Sequence, residues 1–332
     1  MLNKPKIAFY CASSCGGCEV SLVNLHEKIL DVDANFDLVF CPCLVDTKKK
    51  DVEAMADKSL AITFFNGGIR NDDNVEMARL LRKKSQVLVS YGACATGGGI
   101  PALANLFPRQ RLFNTVYHGN PSIDNPGEVE PQTSSVVSAG TLTLPQFHDK
   151  VQTLAQIVDV DFFFPGCPPE SAQLAKVVDL LVAGGPLPPK GSFLGSGRKS
   201  VCEECRKKKG DKKIAKLRRN WEPVPDPETC LLEQGFLCMG PATRDGCGGL
   251  CPEAVMPCIG CYGPPEGVLD QGAKMAAAIG GMLDIQALKE LNEGEIVDRI
   301  DKTLAATPDY VGTFYKFSLA GSLLRGGVKL RE

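Results

Sequence analysis

The stretch that decides the fold is KIAFYCASSCGGCEVSLVNLHEKIL, residues 6–30. Residues 6–12, KIAFYCA, read as a buried strand. The chain then turns through Gly16 and Gly17 into an amphipathic helix, and Cys15 and Cys18 lie in that turn. Similar strand-like runs recur at FDLVFCP (36–42), LAITFFNGG (60–68), QVLVSYGAC (86–94) and VDFFFPGC (160–167). Helical patterns such as DDNVEMARLLRKK (72–84) and ESAQLAKVVDLLVAG (170–184) separate several of them. This alternation predicts an α/β domain, a parallel sheet with helices on both faces. Ligands of such open sheets gather beyond the carboxyl ends of the strands.

Those strand ends carry sulfur. Cys15 and Cys18 follow the first strand, Cys94 follows the fourth run and Cys167 the fifth, so the sheet is able to bring four thiols to one place. Glycine and proline surround them in GACATGGGIP and PGCPP, giving tight turns and room beside the backbone. Cys11, Cys41 and Cys43 read as small buried apolar residues of strand interiors. Glu19 fits the first turn of a helix on dipole grounds alone. His26, His118 and His148 have no ligand-like neighbours in the sequence.

Composition narrows the rest. A chain of 332 residues, 44% hydrophobic and 23% charged, is a globular protein with room for a large domain and a smaller one. The N-terminus shows neither a secretory signal nor a twin-arginine pair, and no apolar run reaches the roughly 18 residues of a membrane span, so a cytoplasmic location is expected. Fifteen cysteines in that reducing setting favour metal binding over disulfides. No GxGxxG follows a strand, which argues against direct dinucleotide binding.

Residues 115–148 form a polar, proline-rich insertion, and PLPPKGSFLGSGRKS from Pro186 reads as a linker. Beyond it the cysteines fall into two groups of four. Cys202, Cys205, Cys230 and Cys238 give CxxC followed by two more distant thiols, whereas Cys247, Cys251, Cys258 and Cys261 give C-x3-C-x6-C-x2-C. The stretch from Cys230 to Cys261 is poor in packable side chains, and bound iron-sulfur clusters would supply the missing ties. Tetrahedral zinc is the alternative, above all for the first group, although a zinc ribbon would show a second CxxC. The run Arg206–Arg219 holds nine basic residues and one acid. It reads either as a solvated segment or as charge that offsets cluster thiolates and steers an acidic partner. The slightly acidic net charge of -2 and the single Trp disfavour nucleic acid.

SSCGGCE, GACATGGGIP, PGCPP, EECRKK, CLLEQGFLCMGP and MPCIGCYGPP, in that order, resemble the small subunit of cytoplasmic NiFe hydrogenases of the coenzyme F-420-non-reducing, methyl-viologen-reducing type. The likeness continues through DQGAKMAAAIGGMLD and GTFYKFSLAGSLL. It implies a flavodoxin-like domain at 1–190 with a proximal cluster, a small irregular cluster domain at 191–265, and a C-terminal helical extension at 266–332. By motif, Cys15, Cys18, Cys94 and Cys167 would bind the proximal cluster. Cys202, Cys205, Cys230 and Cys238 would bind the distal one, and Cys247, Cys251, Cys258 and Cys261 the medial one. Periplasmic relatives have a histidine where this chain has Cys202 and lack a ligand where it has Cys251, so three all-thiolate 4Fe-4S clusters are implied.

The resemblance further implies that this chain does no substrate chemistry itself. Electrons from dihydrogen, split at the nickel-iron site of a separate large subunit, would pass through it to an iron-sulfur acceptor. That acceptor would be a heterodisulfide reductase complex reached through a small adaptor subunit. The alternatives are a zinc-stabilised scaffold and a cluster subunit of the complex I type, which would lack the second cysteine domain.

Overall fold

The computed structural model describes residues 4–211, 213–214, 216–283, 291–305, 307 and 309–324. By contacts the chain divides into two units, Met1–Leu194 with Leu319–Glu332, and Gly195–Ser318.

The first unit contains β1 (Lys6–Cys11), β2 (Asp37–Phe40), β3 (Leu60–Asn66), β4 (Ile69–Asn71), β5 (Ser85–Tyr91), β6 (Ser134–Val137), β7 (Gly140–Thr143), β8 (Phe147–Gln152) and β9 (Phe162–Phe164). Its helices are α1 (Gly17–Val23), α2 (Ile29–Asn35), α3 (Lys49–Ala54), α4 (Asp72–Lys84), α5 (Gly92–Gly97), α6 (Arg109–Tyr117) and α7 (Ser171–Val182). The main sheet runs β2-β1-β3-β5-β9 and is parallel throughout. Counting only these five strands, the order is the 2-1-3-4-5 of flavodoxin-like folds.

Strands covered on both faces must be apolar on both, which is why they read as continuous hydrophobic runs. Ile7, Phe9, Phe64, Tyr91 and Phe164 face Leu174, Val177 and Val178 of α7. Ala8, Tyr10, Phe65 and Leu88 face Met77, Ala78 and Leu81 of α4. Aromatic rings bridge the strands on the first face, with Phe9 stacked on Phe64 at 4.6 Å and Tyr91 edge-on to Phe164 at 5.4 Å. The α4 helix starts on Asn71, whose side chain accepts from Asn74 N at 2.9 Å. Arg82, Lys83 and Lys84 complement its carboxyl end.

Three details depart from the sequence reading. The helix expected after the first glycine turn breaks after Val23, and a 3-10 turn at His26–Lys28, with His26 at φ 53°, leads into α2. Strand β2 stops at Phe40, so Cys41 and Cys43 lie in the following turn, Cys41 buried and Cys43 exposed. The strand-interior reading of Cys43 is therefore corrected. Within the insertion, β6 and β7 form an exposed antiparallel hairpin, and β8 pairs antiparallel with β4.

The second unit has α8 (Val201–Glu204), α9 (Leu250–Glu253), α10 (Gln271–Met282), α11 (Glu293–Leu304) and α12 (Tyr310–Phe314). Long loops carry most of its cysteines. Three described residues of the basic run form isolated bridges, Lys208 to Thr229, Ile214 to Leu283 and Arg218 to Phe236. Ile214 and Leu217 are buried between its charges. Among the described residues no helix is long and apolar enough to cross a membrane.

Candidate metal centres

The carboxyl edge of the main sheet gathers the first four thiols. Gly16, at φ 81°, turns the chain from β1 into α1, leaving Cys15 exposed and Cys18 buried on either side. Cys94 lies in α5, which follows β5 directly. Cys167 follows β9 through Gly166, whose carbonyl accepts from Ala93 N at 2.7 Å and so ties two strand ends together. Burial pushes the Cys18 thiol up, and the charges of Cys94, Glu19, Cys167 and Cys15 push it further. Burial pushes Cys94 up to about 12, with Cys167, Cys15 and Cys11 adding to the rise. Cys167 rises through burial and Cys15. The four thiols thus sense one another, and Cys18, Cys94 and Cys167 resist ionisation there; a bound metal cation would reverse that preference.

Glycines line this pocket because nothing larger fits. A Cβ on Gly92 would stand 2.5 Å from Cys18 Sγ, and one on Gly99 would stand 2.5 Å from Cys94 Sγ. Glu19 is also drawn in. Asn66 Nδ2 donates to its Oε1 at 2.5 Å, while its Oε2 is buried without a hydrogen-bond partner. Cys11 lies beside this carboxylate; burial and Glu19 push its thiol up to about 12. The histidines stand elsewhere: His118 pairs with Glu130 at 2.9 Å and His148 with Asp72 at 2.8 Å.

In the second unit, Cys202, Cys205, Cys230 and Cys238 line one cavity of about 160 Å³ together with Lys207 and Lys209. Gly240 closes it, for a Cβ there would lie 3.1 Å from Cys202 Sγ and 3.6 Å from Cys238 Sγ. Burial pushes Cys202 up to about 12, helped by Cys238 and opposed by Lys209. Lys209 Nζ donates to the Cys202 carbonyl, and Lys207 Nζ to the Pro227 carbonyl. Lys208 pairs with Glu228 at 3.0 Å. The lysines expected beside the second group are there, but each is held by a partner.

In the third group the only mutual influence among the thiols seen in the described residues is that of Cys261 on Cys258. Cys258 is raised by burial first and then by Cys238, with Cys261 adding to the effect. Its backbone N–H donates to Cys238 Sγ at 3.3 Å, so the second and third groups meet at one hydrogen bond. Burial alone raises Cys251. Cys247 faces Glu204, its Sγ 3.6 Å from Oε1. Sequence reasoning missed Glu204. Its carboxylate accepts from Gly246 N at 2.9 Å and Gly249 N at 3.2 Å, holding a loop whose glycines 246, 248 and 249 all have positive φ. The available signal was the second glutamate of VCEEC together with the glycine-rich stretch DGCGG, whose backbone N–H groups a carboxylate is suited to bind.

Among the described residues no three Cys, His, Asp or Glu side chains surround the position of a single ion. A zinc ion, with Zn–S of about 2.3 Å, needs its thiolates closer together than a four-iron cage does. The donor chemistry, the glycine cradle and the cavity fit a thiolate-bound cluster.

A parallel sheet that delivers thiols from three strand ends defines a class of cysteine-bearing redox subunits, and the family described as NADH ubiquinone oxidoreductase, 20 Kd subunit, matches residues 15–181. The whole chain has relatives as well. It is 37% identical to the iron-sulfur subunit of the F420-non-reducing hydrogenase of Archaeoglobus profundus, over 96% of this chain and 97% of that one. It is 36% identical to a subunit of the F420-non-reducing hydrogenase of Methanothermobacter marburgensis, over 99% of both. The recombinant [NiFeSe] hydrogenase of Desulfovibrio vulgaris Hildenborough shares the fold, with a TM-score of 0.50 at 17% identity over 79% of this chain and 94% of that chain. The protein belongs to the iron-sulfur subunit family of F420-non-reducing hydrogenases. It is therefore an electron-transfer subunit of an oxidoreductase acting on hydrogen.

Proposed function

We propose that the three groups of four thiols hold three 4Fe-4S clusters, through which this chain conducts electrons from a NiFe large subunit to an iron-sulfur acceptor. Cys15, Cys18, Cys94 and Cys167 hold the cluster that receives electrons. Cys247, Cys251, Cys258 and Cys261 hold the next, and Cys202, Cys205, Cys230 and Cys238 the one that passes them on. The observation that carries this reading is the convergence of Cys15, Cys18, Cys94 and Cys167 from three separate strand ends into one glycine-lined pocket. Thiols so far apart along the chain that converge on one buried spot would all have to ionise there to bind metal, which a bound cation favours and nothing else in the pocket does.

When bound, such clusters take up and release single electrons. The chain's own residues set the terms. Its thiols hold the irons, and Gly92 and Gly99 let backbone approach the sulfurs closely. Backbone N–H groups aimed at Cys238 and Cys247 favour added negative charge there. Lys209 contributes a positive charge beside Cys202. That cation, with its neighbours in the basic run, supports an acidic docking partner. We take the partner to be an iron-sulfur adaptor subunit leading to a heterodisulfide reductase, in the cytoplasm.

Metal analysis of the anaerobically purified chain tests the reading. About twelve irons with equal acid-labile sulfide are expected per chain, from three four-iron sites. Stoichiometric zinc without sulfide would replace it with a zinc-held scaffold.

A further inference from the structure

Cys41 and Cys43 lie outside the three groups, yet they are arranged as a pair. They follow β2, the edge strand of the main sheet, with Pro42 between them. The Cys41 carbonyl accepts from Leu44 N at 2.8 Å and Val45 N at 2.9 Å, and this tight turn folds the two side chains toward each other. Their sulfurs are 3.4 Å apart. Cys41 is 1% exposed and packs in the core, whereas Cys43 faces solvent. Two structural cysteines would not need to touch, and a pair with one buried and one open sulfur has the asymmetry of an attacking and a resolving thiol.

We propose that Cys41 and Cys43 form a reversible dithiol–disulfide site that exchanges with low-molecular-weight disulfides. The thiolate of exposed Cys43 attacks one sulfur of the external disulfide, forming a mixed disulfide and expelling one thiolate. Cys41 Sγ, as thiolate, then attacks Cys43 Sγ. The Cys41–Cys43 bond forms, the mixed disulfide breaks, and the second external thiolate leaves. The two protons lost by the cysteines are taken up by the two leaving thiolates. In sum, two protein thiols are oxidised and one external disulfide is reduced to two thiols. The sulfurs must close from 3.4 Å to about 2 Å for the bond to form.

The test uses the full, anaerobically purified protein equilibrated with set ratios of oxidised and reduced glutathione, then alkylated and digested with trypsin. Lys28 and Lys48 bound a peptide, residues 29–48, whose only cysteines are Cys41 and Cys43. Across the series this peptide should lose both alkyl groups, leaving it two hydrogen atoms lighter than the free dithiol, and regain the alkyl groups when reduced glutathione is restored. Cys41→Ser should trap glutathione on Cys43, and Cys43→Ser should leave Cys41 unmodified. A native peptide that stays doubly alkylated, or that stops at the mixed disulfide, overturns the proposal. Glutathionylation of Cys41 in Cys43→Ser overturns the assigned order of attack.

Discussion

Gly92 sits where the proposed first cluster site is least forgiving. Its φ is +84°, and a Cβ there would lie 2.5 Å from Cys18 Sγ, 3.5 Å from the Gly166 carbonyl and 3.7 Å from Pro169 Cδ. The backbone has little freedom to retreat, because Ala93 N is bonded to the Gly166 carbonyl at 2.7 Å. Gly92→Ala therefore costs about 1–2 kcal/mol for the left-handed backbone, and the crowded sulfur must also move. If Cys18 were a free thiol, rotation would relieve the clash and the backbone term would be nearly the whole cost. If Cys18 is a ligand, it is not free to rotate without giving up its iron. About four irons of twelve should then be lost, with a further 1–3 kcal/mol or so from overpacking.

Gly191→Ala is the control, since Gly191 has φ +87° and nothing within 4 Å of its added Cβ. It carries the same backbone strain without touching sulfur. The assay is iron and sulfide per chain for both variants, alongside denaturant unfolding. Equal iron and equal stability in the two would refute the argument, since Cys18 would then be free to turn aside.

Three other outcomes are expected. Cys251→Pro, at the second position of α9 where a missing N–H is tolerated, should convert one four-iron site to three irons and raise its potential; paramagnetic resonance showing all four-iron signals unchanged would remove Cys251 from the ligands. Lys209→Glu should slow transfer to the protein acceptor and alter its salt dependence while hydrogen–deuterium exchange at the nickel site persists. Lys208→Glu should do less, because its charge is already matched by exposed Glu228. Burial would raise Asp161, but bonds from Arg82, the Leu88 N–H and Lys190 outweigh it and hold the carboxyl below its usual range. A depressed folded pKa gives stability that is present above the unfolded value and lost as pH falls through the folded one. Asp161→Asn should thus cost roughly 1–3 kcal/mol at pH 7, and the gap should shrink below about pH 4; a gap independent of pH would contradict the assignment.

The sheet was legible because parallel strands buried on both faces leave an unmistakable trace in sequence, as in LAITFFN and QVLVSY. Where a strand ends is a matter of one or two residues, and Cys43 fell on the wrong side of that margin. The burial of Ile214 and Leu217 was not legible for a different reason: it rests on backbone partners far along the chain, Met282 O for Ile214 N and Thr303 O for Leu217 N, which no local pattern announces.

The cysteine groups show the same contrast in a form that bears on how the protein matures. The sheet places Cys94 and Cys167 through hydrogen bonds and aromatic packing that exist without metal, so spacing along the chain is no obstacle to their meeting. Cys247 lies in a glycine-rich turn and Cys251 at the start of α9, and the turn is braced by Glu204, which accepts from Gly246 N and Gly249 N. If these thiols bind metal as proposed, metal binding and the final ordering of this stretch would be one process. Under the proposed cluster reading, Glu204 would hold the turn near its position before metal binds, and it stands beside Cys247 as a negative charge that a bound cation would neutralise.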